Sequence, residues 1–150
     1  MSNPKRKARE LAMQLLFLWD AHGAKDPEMG EQSARGAVDD PAIIARAMEL
    51  AGAAWELREA TDQWVERLAP QWPPRRQPGV DRALIRLAIW ELTHADTPPK
   101  VVIDEAIELA KQFSTELSSA FVNGVLDAAL KEHVAKKELP APAEIPPPEA

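Results

Sequence analysis

The sequence predicts an all-α protein built from two packed helical subdomains. Apolar side chains recur at helical spacing through most of the chain, and most regularly between residues 79 and 130. Prolines and glycines separate these stretches, and helix-capping residues precede several of them. The chain has 150 residues, which is enough for one domain with a real core. We therefore expect a bundle of about six to seven helices in residues 1–138.

The first helix is predicted to run from Pro4 to about Ala21, with Asn3 as its N-cap. Four cations, here called the basic arm, crowd its first two turns: Lys5, Arg6, Lys7 and Arg9. Positive charge at a helix N-terminus opposes the helix dipole. From the residues alone, the basic arm is either a solvated, slightly frayed helix end or an anion-binding element.

The middle of the N-terminal half is predicted as a loop followed by two helices. Residues 22–41 carry several glycines and prolines, and their apolar residues show no period, so we expect a loop there. Asp40 and Pro41 are typical of a helix start, and a break is expected between about Ala54 and Arg58.

Two proline-rich segments divide the chain. Residues 71–79 contain three prolines and predict a rigid connector between an N-terminal part, 1–70, and a C-terminal part, 80–138. Arg75 and Arg76 of the connector are either solvated or extend a basic surface. Residues 139–150 contain five prolines and cannot bury enough surface to offset their ordering entropy, which predicts a disordered tail.

Three tryptophans are interpreted as packing residues, and three helices are expected after the connector. Trp55, Trp64 and Trp72 are interpreted as core or packing aromatics, with RNA stacking by one of them as the alternative. Thr97 is expected to cap the second of the three C-terminal helices, and Ser114 the third.

The residues give no sign of an enzyme, a metal site or a cofactor. Cysteine is absent, the three histidines are scattered, and no glycine-rich phosphate loop is present. Asp104, Glu105 and Glu108 are interpreted as the solvent face of a helix rather than as an acid pair or metal ligands. The sequence contains no run of about 18 apolar residues, so no membrane-spanning helix is predicted. The net charge of −6 argues against general nucleic-acid binding, so any such contact must be local, as at the basic arm.

Four segments resemble one known family. They read KRKARELAMQLLFLWD, VDRALIRLAIWEL, PPKVVIDEAIELAKQF and FVNGVLD, and together they span roughly residues 4–131. These segments resemble the NusB family of bacterial transcription antitermination factors. The pairing of EAIELAK with FVNGVLD about ten residues later is the specific feature, whereas residues 22–78 match only in helical character.

The resemblance implies a cytoplasmic RNA-binding adaptor. Members of the family bind the boxA element of nascent ribosomal RNA together with a small-subunit ribosomal protein that serves as Nus factor E. The complex then joins the transcribing RNA polymerase and suppresses termination. Relatives occur as monomers and as homodimers, and the sequence leaves both states open.

The resemblance also implies roles for individual residues at positions that match the family pattern. The RNA-binding residues implied in this way are Lys5, Arg6, Lys7, Arg9, Phe17 and Phe121. Asp81 is implied as a residue of the helix that faces the protein partner. The chain departs from the family pattern at Leu117, where many relatives carry an acidic residue, and in its proline-rich connector and tail.

Two other functions fit the same fold. One is a protein–protein interaction module with an idle basic arm, in which replacing the arm by alanine would leave RNA binding unchanged. The other is an accessory domain of an RNA methyltransferase, because some of these enzymes carry a NusB-like domain. Neither alternative requires catalytic residues in this chain.

Overall fold

The computed structural model describes residues 3–138, and in that range the chain forms seven α-helices, one short 3-10 turn and no strand. The α-helices are α1 (Pro4–His22), α2 (Pro27–Ala37), α3 (Pro41–Glu56), α4 (Arg58–Leu68), α5 (Gly79–His94), α6 (Pro99–Phe113) and α7 (Glu116–Glu138). The predicted all-α fold is confirmed. The predicted disordered tail, 139–150, lies outside the described residues.

Helix α5 is the centre of the bundle. Ten of its sixteen residues are buried, and it contacts α1, α3, α4, α6 and α7. A helix that is apolar on most of its circumference must be covered on most sides, which explains this position. Helices α1 to α4 and α5 to α7 form two packed groups joined through α5, as predicted, while the exact boundaries at residues 70 and 80 stay a prediction.

Two predicted helix caps are confirmed. Asn3 Oδ1 accepts hydrogen bonds from the backbone N–H groups of Lys5 at 2.9 Å and Arg6 at 3.3 Å. Asp40 Oδ1 accepts from the N–H of Ala42 at 3.0 Å, directly before α3. Each side chain satisfies donors that the first helical turn leaves unpaired.

The other two predicted caps were wrong. Helix α6 begins after Pro98, and the Thr97 hydroxyl instead donates to Glu91 at 3.2 Å. Helix α7 is capped by Thr115, whose hydroxyl accepts from the N–H of Ser118 at 3.1 Å, while Ser114 closes α6. The competing tertiary hydrogen bond to Glu91 explains the error at Thr97.

The prediction of a loop throughout residues 22–41 was also wrong, because α2 lies inside it. Asp26 caps this helix through the N–H of Met29 at 3.1 Å, and Pro27 occupies its first turn. The buried residues of α2 are only Gly30 and Ala34. Such small side chains carry almost no hydrophobic periodicity, although they allow α2 to lie close to α1.

Gly30→Val should destabilise the protein, whereas Gly36→Val in the same helix should not. A Cβ at Gly30 would lie 3.1 Å from both Leu15 and Trp19, but nothing lies within 4 Å of one at Gly36. Overpacking of this kind costs roughly 1–3 kcal/mol. Urea denaturation of the two variants measures the difference, and equal stability would show that α2 is not held tightly against α1.

The break between α3 and α4 falls at Leu57, inside the predicted interval. Trp55 and Trp64 are buried, as predicted, and the Trp64 indole N–H donates to Glu132 of α7. Trp72 is not a core residue, because 48% of it is exposed, and it packs at the surface against another aromatic ring. Within residues 3–138 no helix has the length and apolar character needed to cross a membrane.

Candidate nucleic-acid interface

Arg9 of the basic arm is committed to an internal ion pair. Its Nε and Nη2 donate to Glu91 Oε1 and Oε2, each at 2.8 Å, and the side chains are only 11% and 3% exposed. The hydrogen bond to Glu91 raises the pKa of the Arg9 guanidinium, so its charge persists despite burial. Arg9 thus holds α1 against α5, and its contact with RNA stays a prediction that requires this pair to open.

Arg6 is paired as well, but it remains open to water. It donates from Nε and Nη2 to Glu105 of α6 at 2.8 Å each, and 47% of its side chain is exposed. The hydrogen bond from Arg6, together with its positive charge, lowers the pKa of Glu105, although partial burial opposes the shift. A phosphate could share the exposed side of this guanidinium without breaking the core.

The two lysines complete the basic arm. Lys7 reaches Glu10 of the same helix at 3.2 Å, in a partly exposed pair. Lys5 is exposed and has no ion pair among residues 3–138. Together with Arg9 it lines a cleft of about 510 Å³ between α1, α3 and the segment before α6, where Arg46 adds a further cation. The available positive charge of the basic arm is therefore concentrated at Lys5, Arg6 and Lys7.

Phe17 lies at the other end of α1, where it meets the start of α5. The residue is 44% exposed, and its ring lies over Gly79, where an added Cβ would come within 2.7 Å of Phe17 Cε1. A side chain at position 79 would therefore displace the Phe17 ring. Phe17 is partly exposed at the end of the connector.

Phe121 forms an aromatic pair with Trp72 of the connector. Its ring centroid lies 5.4 Å from that of Trp72, with the planes inclined by 35°. Phe121 is half-buried in α7, while Trp72 projects from the connector. The pair brings the connector into contact with α7 at the surface.

Asp81, the predicted partner contact, is only 2% exposed. It lies in the first turn of α5, where its negative charge is favourable to the helix dipole. Its Oδ1 is buried and has no hydrogen-bond partner in the part of the chain that the structure describes. A direct contact between Asp81 and a partner protein stays a prediction, and it requires the surrounding side chains to move.

An arginine of α5 that the sequence analysis did not single out fixes the connector. Arg82 donates from Nε and Nη2 to Asp20 Oδ2 of α1 at 2.8 and 2.7 Å. Its Nη1 donates to the carbonyl oxygens of Pro74 at 2.7 Å and Gln77 at 3.0 Å. One side chain therefore joins α1, α5 and residues 74–77.

Arg86, one turn further along α5, continues this network. It binds Asp62 of α4 through two hydrogen bonds, at 3.0 and 2.6 Å, and it also reaches Asp20 at 3.3 Å. Burial lowers the pKa of the Arg86 guanidinium, but the bonds and charges of Asp62 and Asp20 outweigh burial and leave the pKa raised. Sequence periodicity gave no signal for this network because its members lie on three different helices.

Of the three acidic residues of α6 that were predicted to face solvent, Asp104 and Glu108 are exposed, whereas the Glu105 side chain is only 13% exposed. Asp104 pairs with Lys100 at 3.2 Å, and Glu105 pairs with Arg6. Across residues 3–138, no group of three or more potential ligands is placed to hold a metal ion. The arrangement offers cations and exposed aromatic faces, which are the groups that bind phosphates and bases.

Known proteins resemble this chain along most of its length. The model of the NusB family matches residues 6–131. The transcription antitermination protein NusB of Solibacter usitatus (strain Ellin6076) is 41% identical over 138 residues, which cover 85% of this chain and 89% of that protein. The protein of the same name from Chloroflexus aggregans (strain MD-66 / DSM 9485) is 36% identical and covers 92% and 94%.

Solved structures agree with the sequence comparison. NusB of T. maritima superposes with a TM-score of 0.77 at 34% identity and covers 91% of this chain and 97% of its own. A crystal structure of the antitermination factors NusB and NusE in complex with dsRNA gives a TM-score of 0.77 at 26% identity and covers 88% and 99%. By sequence and by fold, this chain belongs to the NusB family.

Proposed function

We propose that this protein is a transcription antitermination factor. In this proposal it binds the boxA element of nascent ribosomal RNA together with the small-subunit ribosomal protein that serves as Nus factor E. The assembly joins the transcribing RNA polymerase in the cytoplasm. The observation that carries the proposal is the match to antitermination proteins along residues 6–131, supported by the similarity to a NusB that was solved with NusE and RNA.

In the proposed RNA surface, the predicted site residues have three roles: phosphate binding, base stacking and positioning of the basic arm. Lys5, Arg6 and Lys7 hold phosphates, because their charges reach solvent. Phe17 and Phe121 offer aromatic faces to unpaired bases, and such stacking is worth about 1–3 kcal/mol per base. Arg9 positions the basic arm through Glu91. The net charge of −6 disfavours RNA elsewhere on the protein, so affinity depends on this surface and on the partner.

The proposal describes an adaptor rather than an enzyme. Phosphate and base contacts position RNA but perform no bond chemistry, and the proposed role needs none. The relatives carry the name of an antitermination protein. A methyl-transfer assay with this protein alone should therefore give no product.

The proposal is tested by fluorescence anisotropy of a labelled boxA RNA and a scrambled RNA of the same length. Both are titrated with the protein, with and without the ribosomal protein. We expect tighter and sequence-selective binding when the ribosomal protein is present. Equal affinity for the two RNAs under both conditions would overturn the proposal.

Replacing Lys5, Arg6 and Lys7 together by alanine should weaken boxA binding and flatten its salt dependence. Each phosphate of single-stranded RNA that is no longer neutralised reduces the slope of log K against log salt by about 0.7, so the change approaches 2 for three phosphates. The matched control replaces three exposed cations elsewhere, Arg35, Lys131 and Lys136, and removes the same charge. Equal slopes for both triple variants would show that the basic arm is idle.

A further inference from the structure

An aromatic pair stands at the surface of the connector. Trp72 is 48% exposed although it is a large apolar residue, and its ring lies 5.4 Å from that of Phe121. An aromatic side chain held in water at a fixed position is typical of a binding surface. Phe121 belongs to the proposed RNA surface, whereas Trp72 is not among the residues assigned to that surface so far.

The backbone that carries Trp72 is held firmly. The Gln77 side-chain amide donates to the Trp72 carbonyl at 3.1 Å, and Gln77 is only 6% exposed. Pro73 and Pro74 are buried, and Arg82 binds the carbonyl of Pro74. Because this segment is already ordered, a ligand that stacks on Trp72 loses little free energy to ordering the loop.

Two arginines, Arg75 and Arg76, follow Trp72 after two prolines. Arg75 is 72% exposed, and its nearest acidic partner, Glu66, is 3.8 Å away. Arg76 is exposed and has no ion pair within the described range. Two exposed guanidinium groups therefore lie three and four residues after Trp72 in the same connector. This combination matches a flexible anionic polymer with unpaired bases, because bases stack on aromatic rings while arginines bind phosphates.

We propose that the connector, residues 71–79, is a second RNA contact of this protein. An unpaired base stacks on Trp72 beside Phe121, and Arg75 and Arg76 hold the flanking phosphates. This inference rests on the proposed function, and it adds a contact that the basic arm cannot make.

The two contacts lie at opposite ends of α1. Arg6 is in its first turns, while Asp20, which holds Arg82 and thereby the connector, is in its last. Their positions differ by fourteen residues, which corresponds to about 21 Å along the helix at roughly 1.5 Å per residue. At about 3.4 Å per stacked nucleotide, RNA needs roughly six nucleotides to engage both ends. An oligonucleotide of four nucleotides is too short to do so.

The test compares Trp72→Leu, which keeps an apolar side chain, with Trp72→Phe, which keeps an aromatic ring. With boxA RNA and the ribosomal protein, Trp72→Leu should weaken binding about 5- to 100-fold, and Trp72→Phe should retain most of the affinity. Circular dichroism verifies that both variants are folded.

The charge contribution is measured separately with Arg75→Gln/Arg76→Gln. The slope of log K against log salt should fall by about 1.4, whereas Arg35→Gln/Lys131→Gln, at exposed cations elsewhere, should leave it unchanged.

A wild-type protein that does not bind boxA RNA would overturn the proposed function and this inference together. Wild-type binding with undiminished affinity in Trp72→Leu would overturn this inference alone. Trp72→Leu that weakens only the contact with the ribosomal protein, measured without RNA, would also overturn it and assign the surface to protein docking.

Discussion

Glu91→Ala should lower the free energy of unfolding by about 3–5 kcal/mol. The substitution leaves the Arg9 guanidinium buried without its counter-charge, and it also removes the acceptor for the Thr97 hydroxyl. Breaking a buried ion pair from one side costs this much because the remaining charge cannot recover its hydration. Urea unfolding at neutral pH, followed by circular dichroism, measures the loss.

The matched control is Glu105→Ala, which removes the same kind of partner from Arg6. The geometry of the two ion pairs is nearly identical, with distances of 2.8 Å in both. Arg6 is half-exposed, however, so water replaces the missing carboxylate, and the Tm should change little. Equal destabilisation by the two substitutions would contradict the view that burial separates the structural from the exposed part of the basic arm.

The sequence was sufficient to predict most of the helices because their apolar faces are large. Helices α5 and α6 present leucine, isoleucine and valine at helical spacing, and prolines stand between α4 and α5 and between α5 and α6. Helix α2 was missed for the opposite reason, since Gly30 and Ala34 bury very little apolar surface. Its existence depends on the fit against Trp19, which is a tertiary contact that a local pattern does not contain.

The cations of the basic arm could be identified from the sequence, but the sequence did not show which of them are paired with carboxylates of other helices. Glu91 and Glu105 follow Arg9 and Arg6 in the chain by 82 and 99 residues, so only the folded structure shows that they are partners. The same limit applies to Trp72. Proline content predicts a rigid connector, but the side on which Trp72 projects is decided by Gln77 and Arg82.

Arg82→Ala should make the connector about 100-fold more sensitive to trypsin, with cleavage after Arg75 and Arg76. In the wild type Arg82 binds two carbonyl groups of the connector and the carboxylate of Asp20. Hydrogen bonds to a charged group contribute roughly 1.5–3 kcal/mol each, so their joint loss lowers the free energy of local opening by about 3 kcal/mol or more. Cleavage follows the population of the open form when opening and closing are fast.

The contrast with Arg86→Ala separates a local effect from a general one. Arg86 binds Asp62 and Asp20 but no connector carbonyl, so its loss should destabilise the bundle without selective cleavage at residues 75 and 76. If both variants were cut equally fast at the connector, trypsin would be reporting global unfolding, and Arg82 would have no special role there. Selective cleavage in Arg82→Ala alone, accompanied by weaker boxA binding, would show that a partly buried side chain between α1 and α5 controls the contact proposed for Trp72. The folded core would then act on RNA binding through the rigidity of residues 71–79, because an exposed stacking residue is effective only when its backbone is held in place.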